Sequence, residues 1–255
     1  MSSRSTHRTP TEPTPPALSI RGLRFRYVGA VDTPADAWTI DLPTLDVARA
    51  EQVLLTGGSG TGKSTLLHLI AGLVDPAEGT VLVDGTNIHT LAGAPRDRFR
   101  GSAIGMIFQT FNLLAGFSAL ENVLAALMFS SVPPSKHMEL AEAALSRLGI
   151  TRIHATPEEL SVGQQQRVAV ARAVVCRPVL VLADEPTASL DPDNAEHAMD
   201  LVQSVCRELG AALVCVSHDP AMAPRFERRE KLGALVRAVS DPNSPSPAPI
   251  AGGTR

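Results

Sequence analysis

The chain has 255 residues, 44% hydrophobic and 19% charged, with a formal net charge of -3 at pH 7. This is ample apolar material for a globular core, and it lacks the concentrated positive charge that nucleic-acid binding uses, so no nucleic-acid partner is expected. No apolar run approaches the roughly 20 residues a membrane helix needs, and the opening MSSRSTHRTPTEPTPP has no apolar signal core, so a cytoplasmic protein is expected. Cys176, Cys206 and Cys215 are scattered and fit no metal-ligand spacing; they read as free thiols.

Residues 1–16, rich in Thr, Pro and Ser, have little to bury and are expected to be disordered. LSIRGLRFRY (18–27) alternates apolar and polar residues and reads as a strand; AWTIDLPTLDV and EQVLLTG read as two more. STLLHLIAGL (64–73) is a compact helix, Gly79–Asp84 a returning strand and GMIFQ (105–109) a short buried one. From Ala119 to Gly149 apolar residues recur at helical spacing in two stretches divided by Pro133 and Pro134. A long helix over 162–175 follows Ser161, and VLVLAD (179–184) is a continuous apolar strand of the kind a parallel sheet buries on both faces. A helix after Asp191-Pro192 and the strand AALVCVS (211–217) follow, and the tail from Ser240 is again expected to be disordered. Strands alternating with helices behind an antiparallel-looking start indicate an α/β fold with an N-terminal β subdomain.

Between an apolar strand and a helix lies Gly57-Gly58-Ser59-Gly60-Thr61-Gly62-Lys63-Ser64, which fits the P-loop pattern G-x-x-x-x-G-K-[ST], with Thr65 next. Glycines let backbone N–H groups wrap phosphates, and the helix N-terminus adds positive charge. Lys63 is expected to reach the β- and γ-phosphates and Ser64 to bind Mg²⁺. Asp184 and Glu185 end VLVLADEP, where ligands of open α/β sheets sit. Taken as adjacent strand residues on opposite faces, they should play different roles: Asp184 in the Mg²⁺ shell, Glu185 polarising the attacking water.

Leu160-Ser161-Val162-Gly163-Gln164, followed by QQRVAVARA, resembles the signature of ATP-binding-cassette (ABC) proteins, usually LSGGQ. Ser161 should cap this helix, leaving its N-terminus to meet an anion. The resemblance covers roughly Leu18 to Leu235 and implies a P-loop NTPase of the ABC type, with a mainly parallel core sheet, an N-terminal antiparallel β subdomain and a helical subdomain carrying the signature. It implies an ATPase domain over 17–239, with the helical subdomain at about 110–176, using ATP and Mg²⁺. Ser161, Gly163 and Gln164 would meet the γ-phosphate bound to a second cassette, identical in a homodimer. Gln109 matches the Q-loop glutamine, touching Mg²⁺ and the attacking water, and Ser189-Leu190-Asp191 matches the D-loop. His218 matches the switch histidine, and Tyr27 the aromatic that stacks on adenine, with Phe25 its competitor. The partner implied is a membrane permease, which would hold the subunit on the inner face of the cell membrane.

Within the family, RFRGSAIGMIFQTFNLLAGFSALENV resembles the lipoprotein-release and macrolide-export (LolD/MacB-like) branch, which pairs with FtsX-like permeases for export or envelope work. The apolar residues Phe111, Leu113, Leu114 and Phe117 are expected to receive the permease's coupling helix; packing into the chain's own helices is the alternative. Two departures stand out. Val162 replaces the first glycine of the signature pair, with its side chain expected to point into the helical subdomain. MAPRFERREKLGALVRAV lacks the Asp-Gly turn that usually separates the last strands. Two other functions compete: a regulatory ATP-binding module with weak hydrolysis because of Val162, and a soluble ABC ATPase acting on nucleic acid or ribosomes. A single copy of each motif and the absence of a heptad run speak against the second.

Overall fold

A computed structural model describes residues 14–27, 38–58 and 60–235. Most of the N-terminal segment, residues 28–37, Ser59 and the tail from Ser240 lie outside the described residues, so the expectations placed on them do too.

Two sheets are present among the described residues. The first joins β1 (Leu18–Phe25), β2 (Ile40–Val47), β4 (Glu78–Val83) and β5 (Thr86–Asn87) in the order β2-β1-β4-β5, antiparallel throughout. The second joins β3 (Gln52–Thr56), β6 (Ile104–Ile107), β7 (Leu180–Asp184), β8 (Ala212–Ser217) and β9 (Arg228–Lys231) in the order β6-β7-β8-β3-β9, parallel throughout. This is the expected α/β architecture.

Strands β3, β7 and β8 carry nearly continuous apolar runs because each feeds two cores, whereas the edge strand β9 is RREK. Successive side chains leave opposite faces of a strand. Leu54, Val181, Ala183, Leu213 and Cys215 enter one buried cluster, with α3 (Ala119–Met128), α4 (His137–Arg147), α5 (Val162–Val174) and α6 (Pro192–Leu209). Their neighbours Val53, Leu55, Leu180, Leu182, Ala212, Val214 and Val216 enter the other, shared with the antiparallel sheet and α1 (Lys63–Ile70). Burying a Leu- or Val-sized side chain contributes about 1.5–3 kcal/mol, so both helix-facing and sheet-facing sides hold β3, β7 and β8 in place.

Helix α2 (Ala94–Ala103), strands β5 and β9 and the short α7 (Leu232–Leu235) escaped the sequence reading. Helix α2 buries none of its residues, so its APRDRFRGSA sequence carries no apolar stripe by which to find it. Strand β9 extends the parallel sheet beside β3, and α7 follows it directly. The edge without an Asp-Gly turn is thus a parallel strand, anchored by Arg228, which donates to Glu51 Oε1 at 3.0 Å and to the Asp46 carbonyl at 2.7 Å.

Candidate active site

The register brings the carboxyl ends of adjacent strands level. Thr56 of β3 pairs with Ser217 of β8, and Asp184 of β7 with Val216 of β8. The segments that follow these residues therefore leave the sheet side by side. They meet at a cavity of about 620 Å³ lined by Tyr27, Thr39, Gly60, Gly62, Lys63, Ser64, Thr65, Gln109, Asp184, Glu185 and His218. Gly57, Gly58 and Thr61 line an adjoining hollow with His218 and Lys231.

Gly62 begins α1 at φ 85°, a left-handed conformation that an L side chain adopts only under strain. A Cβ there would also lie 2.7 Å from Ile40 Cδ1 and 3.2 Å from the Thr39 carbonyl. No side chain caps the helix, so its first N–H groups are left to the cavity. The Lys63 ammonium donates to the carbonyls of Gly57 and Gly58 at 2.9 Å each and stands 3.9 Å from Glu185 Oε1. This concentrates positive charge and free donors at one point, the requirement for holding a polyphosphate.

Glu185 corrects the expectation that it and Asp184 sit on opposite strand faces. Asp184 is the last residue of β7; Glu185 lies beyond it at φ 47°, a conformation uncommon for a non-glycine residue. That turn brings both carboxylates into the same cavity. Glu185 is buried, and the His218 amide donates to its two oxygens at 3.1 and 3.3 Å. His218 Nδ1 is 2.7 Å from Oε1, and the Ser217 hydroxyl 3.1 Å from Oε2. Beneath them, burial pushes the Cys215 thiol far up, with the charges of Glu185 and Asp184 adding to the shift.

Ser64, Gln109 and Asp184 bring hydroxyl, amide and carboxylate oxygens to this cavity, a hard-oxygen set suited to Mg²⁺ completed by phosphates and water. Among the described residues no group of three His, Cys, Asp or Glu forms a site for another metal. Tyr27 and Phe25 separate clearly. Phe25 is buried, while Tyr27 is exposed at the cavity, edge-on to Phe25 at 4.8 Å, with its hydroxyl 3.0 Å from Thr65 Oγ1.

Ser161, Gly163, Gln164 and Asp191 do not line the cavity. Ser161 caps α5, its hydroxyl accepting from the Gln164 amide at 3.3 Å, while Gln164 Oε1 accepts from the Ser161 amide at 3.0 Å. Val162 does not pack into the helical layer as expected: it is the first residue of α5, half of it is exposed, and it is not among the residues packed in the helical core. Asp191 caps α6, accepting from the Asn194 amide at 3.1 Å, and Ser189 ties this loop to the Gln109 carbonyl at 3.0 Å.

The apolar segment after Gln109 divides. Phe111 is buried and Leu113 packs against the core, so for these two the intrachain alternative holds; Leu114 and Phe117 are exposed. Phe111 and Asn112 stand at φ 59° and 46°, and Arg172 of α5 donates to their carbonyls at 2.6 Å each. Sequence reasoning missed Arg172, Thr39 and Ser217. Only Ser217, a hydroxyl residue immediately before His218, carried a signal in its position.

A glycine-rich loop opening an uncapped helix, with two carboxylates and a histidine at neighbouring strand ends, defines a P-loop nucleotide-binding cassette. The family profile described as ABC transporter matches residues 41–188. The chain is 42% identical over 214 residues to the lipoprotein-releasing system ATP-binding protein LolD of Shewanella denitrificans, covering 83% of this chain and 92% of that one. It is 40% identical over 182 residues to the ABC transporter ATP-binding protein YtrE of Bacillus subtilis, covering 71% and 78%. In structure it resembles the ATP-binding cassette MJ0796, solved as a dimer in a post-hydrolysis state bound to ADP and Pi, with TM-score 0.72, 32% identity and coverage of 85% and 95%. It also resembles cbiO1 from Clostridium perfringens, part of the ABC transporter complex cbiONQ, with TM-score 0.67, 28% identity and coverage of 80% and 79%. The chain belongs to the ABC transporter family as an ATP-binding subunit, and it is LolD-like. No helix among its described residues is long and apolar enough to cross a membrane.

Proposed function

We propose that this subunit binds MgATP between two copies of itself and hydrolyses it to drive an FtsX-like permease in export or lipoprotein and envelope work. The observation that carries this reading is the convergence of Lys63, Ser64, Gln109, Asp184, Glu185 and His218 on one cavity from four separate segments. In it the P-loop amides from Gly57 to Thr65 and the Lys63 ammonium hold the phosphates, and Tyr27 takes the base. Ser64, Gln109 and Asp184 hold Mg²⁺, which neutralises phosphate charge when bound. Glu185 accepts a proton from the attacking water, and His218 faces the γ-phosphate. Ser161, Gly163 and Gln164 serve the nucleotide of the opposite copy, with Asp191 at the same interface, which fits their absence from the lining of this chain's own cavity. That a structural neighbour was solved as a dimer bound to ADP and Pi supports the pairing of two copies.

The permease contact falls on the exposed apolar rim of the helical subdomain, residues about 110–176. Leu114, Phe117, Met128 and Phe129 are exposed there, and Phe129 also lines a largely apolar groove of about 450 Å³ with Leu73, Met106 and Phe108. Docked this way, the subunit works at the inner face of the membrane.

The test is Glu185→Gln, which keeps shape and hydrogen bonding but removes the base. ATP binding is expected to persist, turnover to fall at least ~100-fold, and ATP to trap a dimer visible by size-exclusion chromatography. Near wild-type turnover would place the base elsewhere.

A further inference from the structure

Ser217 belongs to none of the motifs above, yet it is among the most buried polar side chains of the protein, 1% exposed at the end of β8. Its hydroxyl oxygen accepts from the Asp219 amide at 3.1 Å and lies 3.1 Å from Glu185 Oε2. An amide can only donate, so it engages the hydroxyl as an acceptor. The hydroxyl proton is then directed to the carboxylate, which as an anion only accepts. The direction of this hydrogen bond is thus settled by the backbone turn at 217–219.

The two oxygens of Glu185 are held differently. Oε1 faces His218 Nδ1 at 2.7 Å and Lys63 Nζ at 3.9 Å. Both groups are assigned to phosphate in the function proposed above, so both exchange partners during the cycle. The His218 amide is shared between the two oxygens, 3.1 Å from Oε1 and 3.3 Å from Oε2, so the Ser217 hydroxyl is the contact that belongs to Oε2 alone, and it has no task on the nucleotide. Ser217 thus anchors one oxygen and leaves the other presented.

We infer that Ser217 is a positioning residue for hydrolysis: it anchors Oε2 of Glu185 so that Oε1 meets the attacking water in a constant orientation. This rests on Glu185 being the general base. Glu185 stands on a backbone turned to φ 47°, and without the Ser217 hydroxyl only the shared His218 amide is left on Oε2, so the carboxylate has other orientations open to it. Losing a hydrogen bond to a charged group typically costs ten- to a hundredfold when it acts only in the transition state.

The experiment compares the full-length wild type with Ser217→Ala, Ser217→Thr, Glu185→Gln and the Ser217→Ala/Glu185→Gln double variant. It measures kcat and KM for MgATP, binding of a fluorescent ATP analogue, and thermal midpoint. Ser217→Ala is expected to lower kcat about 10- to 100-fold, with KM and analogue affinity within about twofold of wild type. Ser217→Thr, which retains the hydroxyl, should recover most of the rate. In the Glu185→Gln background Ser217→Ala should add almost nothing, because both changes act through one group. Should Ser217→Ala fail to fold, Ser217→Cys, similar in size but a weak donor, is expected to show the same kcat loss with binding intact. The inference is overturned by an unchanged kcat, by equal losses in kcat and ATP affinity, by a loss that threonine does not restore, or by full additivity with Glu185→Gln. A Glu185→Gln enzyme that turns over normally sinks the general-base reading itself. An inactive Glu185→Gln beside a fully active Ser217→Ala sinks only the role given to Ser217.

Discussion

Helices α1 and α5 each begin where an anion is expected, and they are finished in opposite ways. At α1 the N-cap is Gly62, with no side chain to satisfy the first turn, and Lys63 extends over the loop that precedes it. At α5 the N-cap is Ser161, which with Gln164 forms a complete capping box. The first helix leaves its donors to whatever enters the cavity of this same chain. The second satisfies Ser161 and Gln164 internally and leaves only the amides of Val162 and Gly163 without an intrahelical partner. The α1 end is preorganised for its ligand, whereas the α5 end is stable unaided and meets a phosphate only when another surface carries one to it.

If this contrast is right, substitutions at the two helix starts must fail differently. The largest effect is expected for Lys63→Ala, which removes a cation from the preorganised end. ATP-analogue binding by the isolated subunit should weaken at least ~100-fold, since each charge-assisted contact is worth about 1.5–3 kcal/mol. Undiminished binding would mean that the uncapped amides suffice. Ser161→Arg comes next. It should leave that binding in place while lowering turnover at least ~10-fold and abolishing the ATP-dependent dimer, because a bulky side chain then stands on the face that meets the opposite nucleotide. Weakened binding to the isolated subunit would place α5 at the chain's own cavity instead.

The smallest effect is expected for Val162→Gly. Half-exposed and outside the capping box, Val162 is positioned to be tolerated, and turnover should change less than ~10-fold, equivalent to 1.4 kcal/mol in barrier. An inert wild type rescued by glycine would mean that the β-branched side chain keeps the α5 amides from their phosphate, and the regulatory reading would then win.

Much of this molecule was legible because its signals are local. The helix start at Gly62-Lys63, the Ser161 cap, the helix after Asp191-Pro192 and the break at Pro133-Pro134 each depend on residues within one or two helical turns, and each lies where local chemistry puts it. The apolar run of β7 also announced a parallel sheet, since only a strand covered on both faces has no polar side to show. Helix α2 was not legible for the converse reason: with only Phe99 and Ala103 packed against the core and no residue fully buried, it shows almost no apolar period.

Other features were decided by long-range packing. The strand order β6-β7-β8-β3-β9 sets Lys63, Glu185 and His218 side by side, and nothing within any one segment encodes its neighbour. Thr39 reaches the cavity from the start of a different sheet, and Ser217 becomes an anchor because β8 lies against β7. Packing also sorted Phe111 and Leu113 inward from Leu114 and Phe117, residues of like hydropathy that no periodicity distinguishes. By itself the sequence determined the local conformations and the chemical groups available, because those follow from dihedral preference, capping and burial pattern. Tertiary structure alone decided which groups touch, because side-chain contacts between distant segments depend on register and sheet order, to which local propensity is blind.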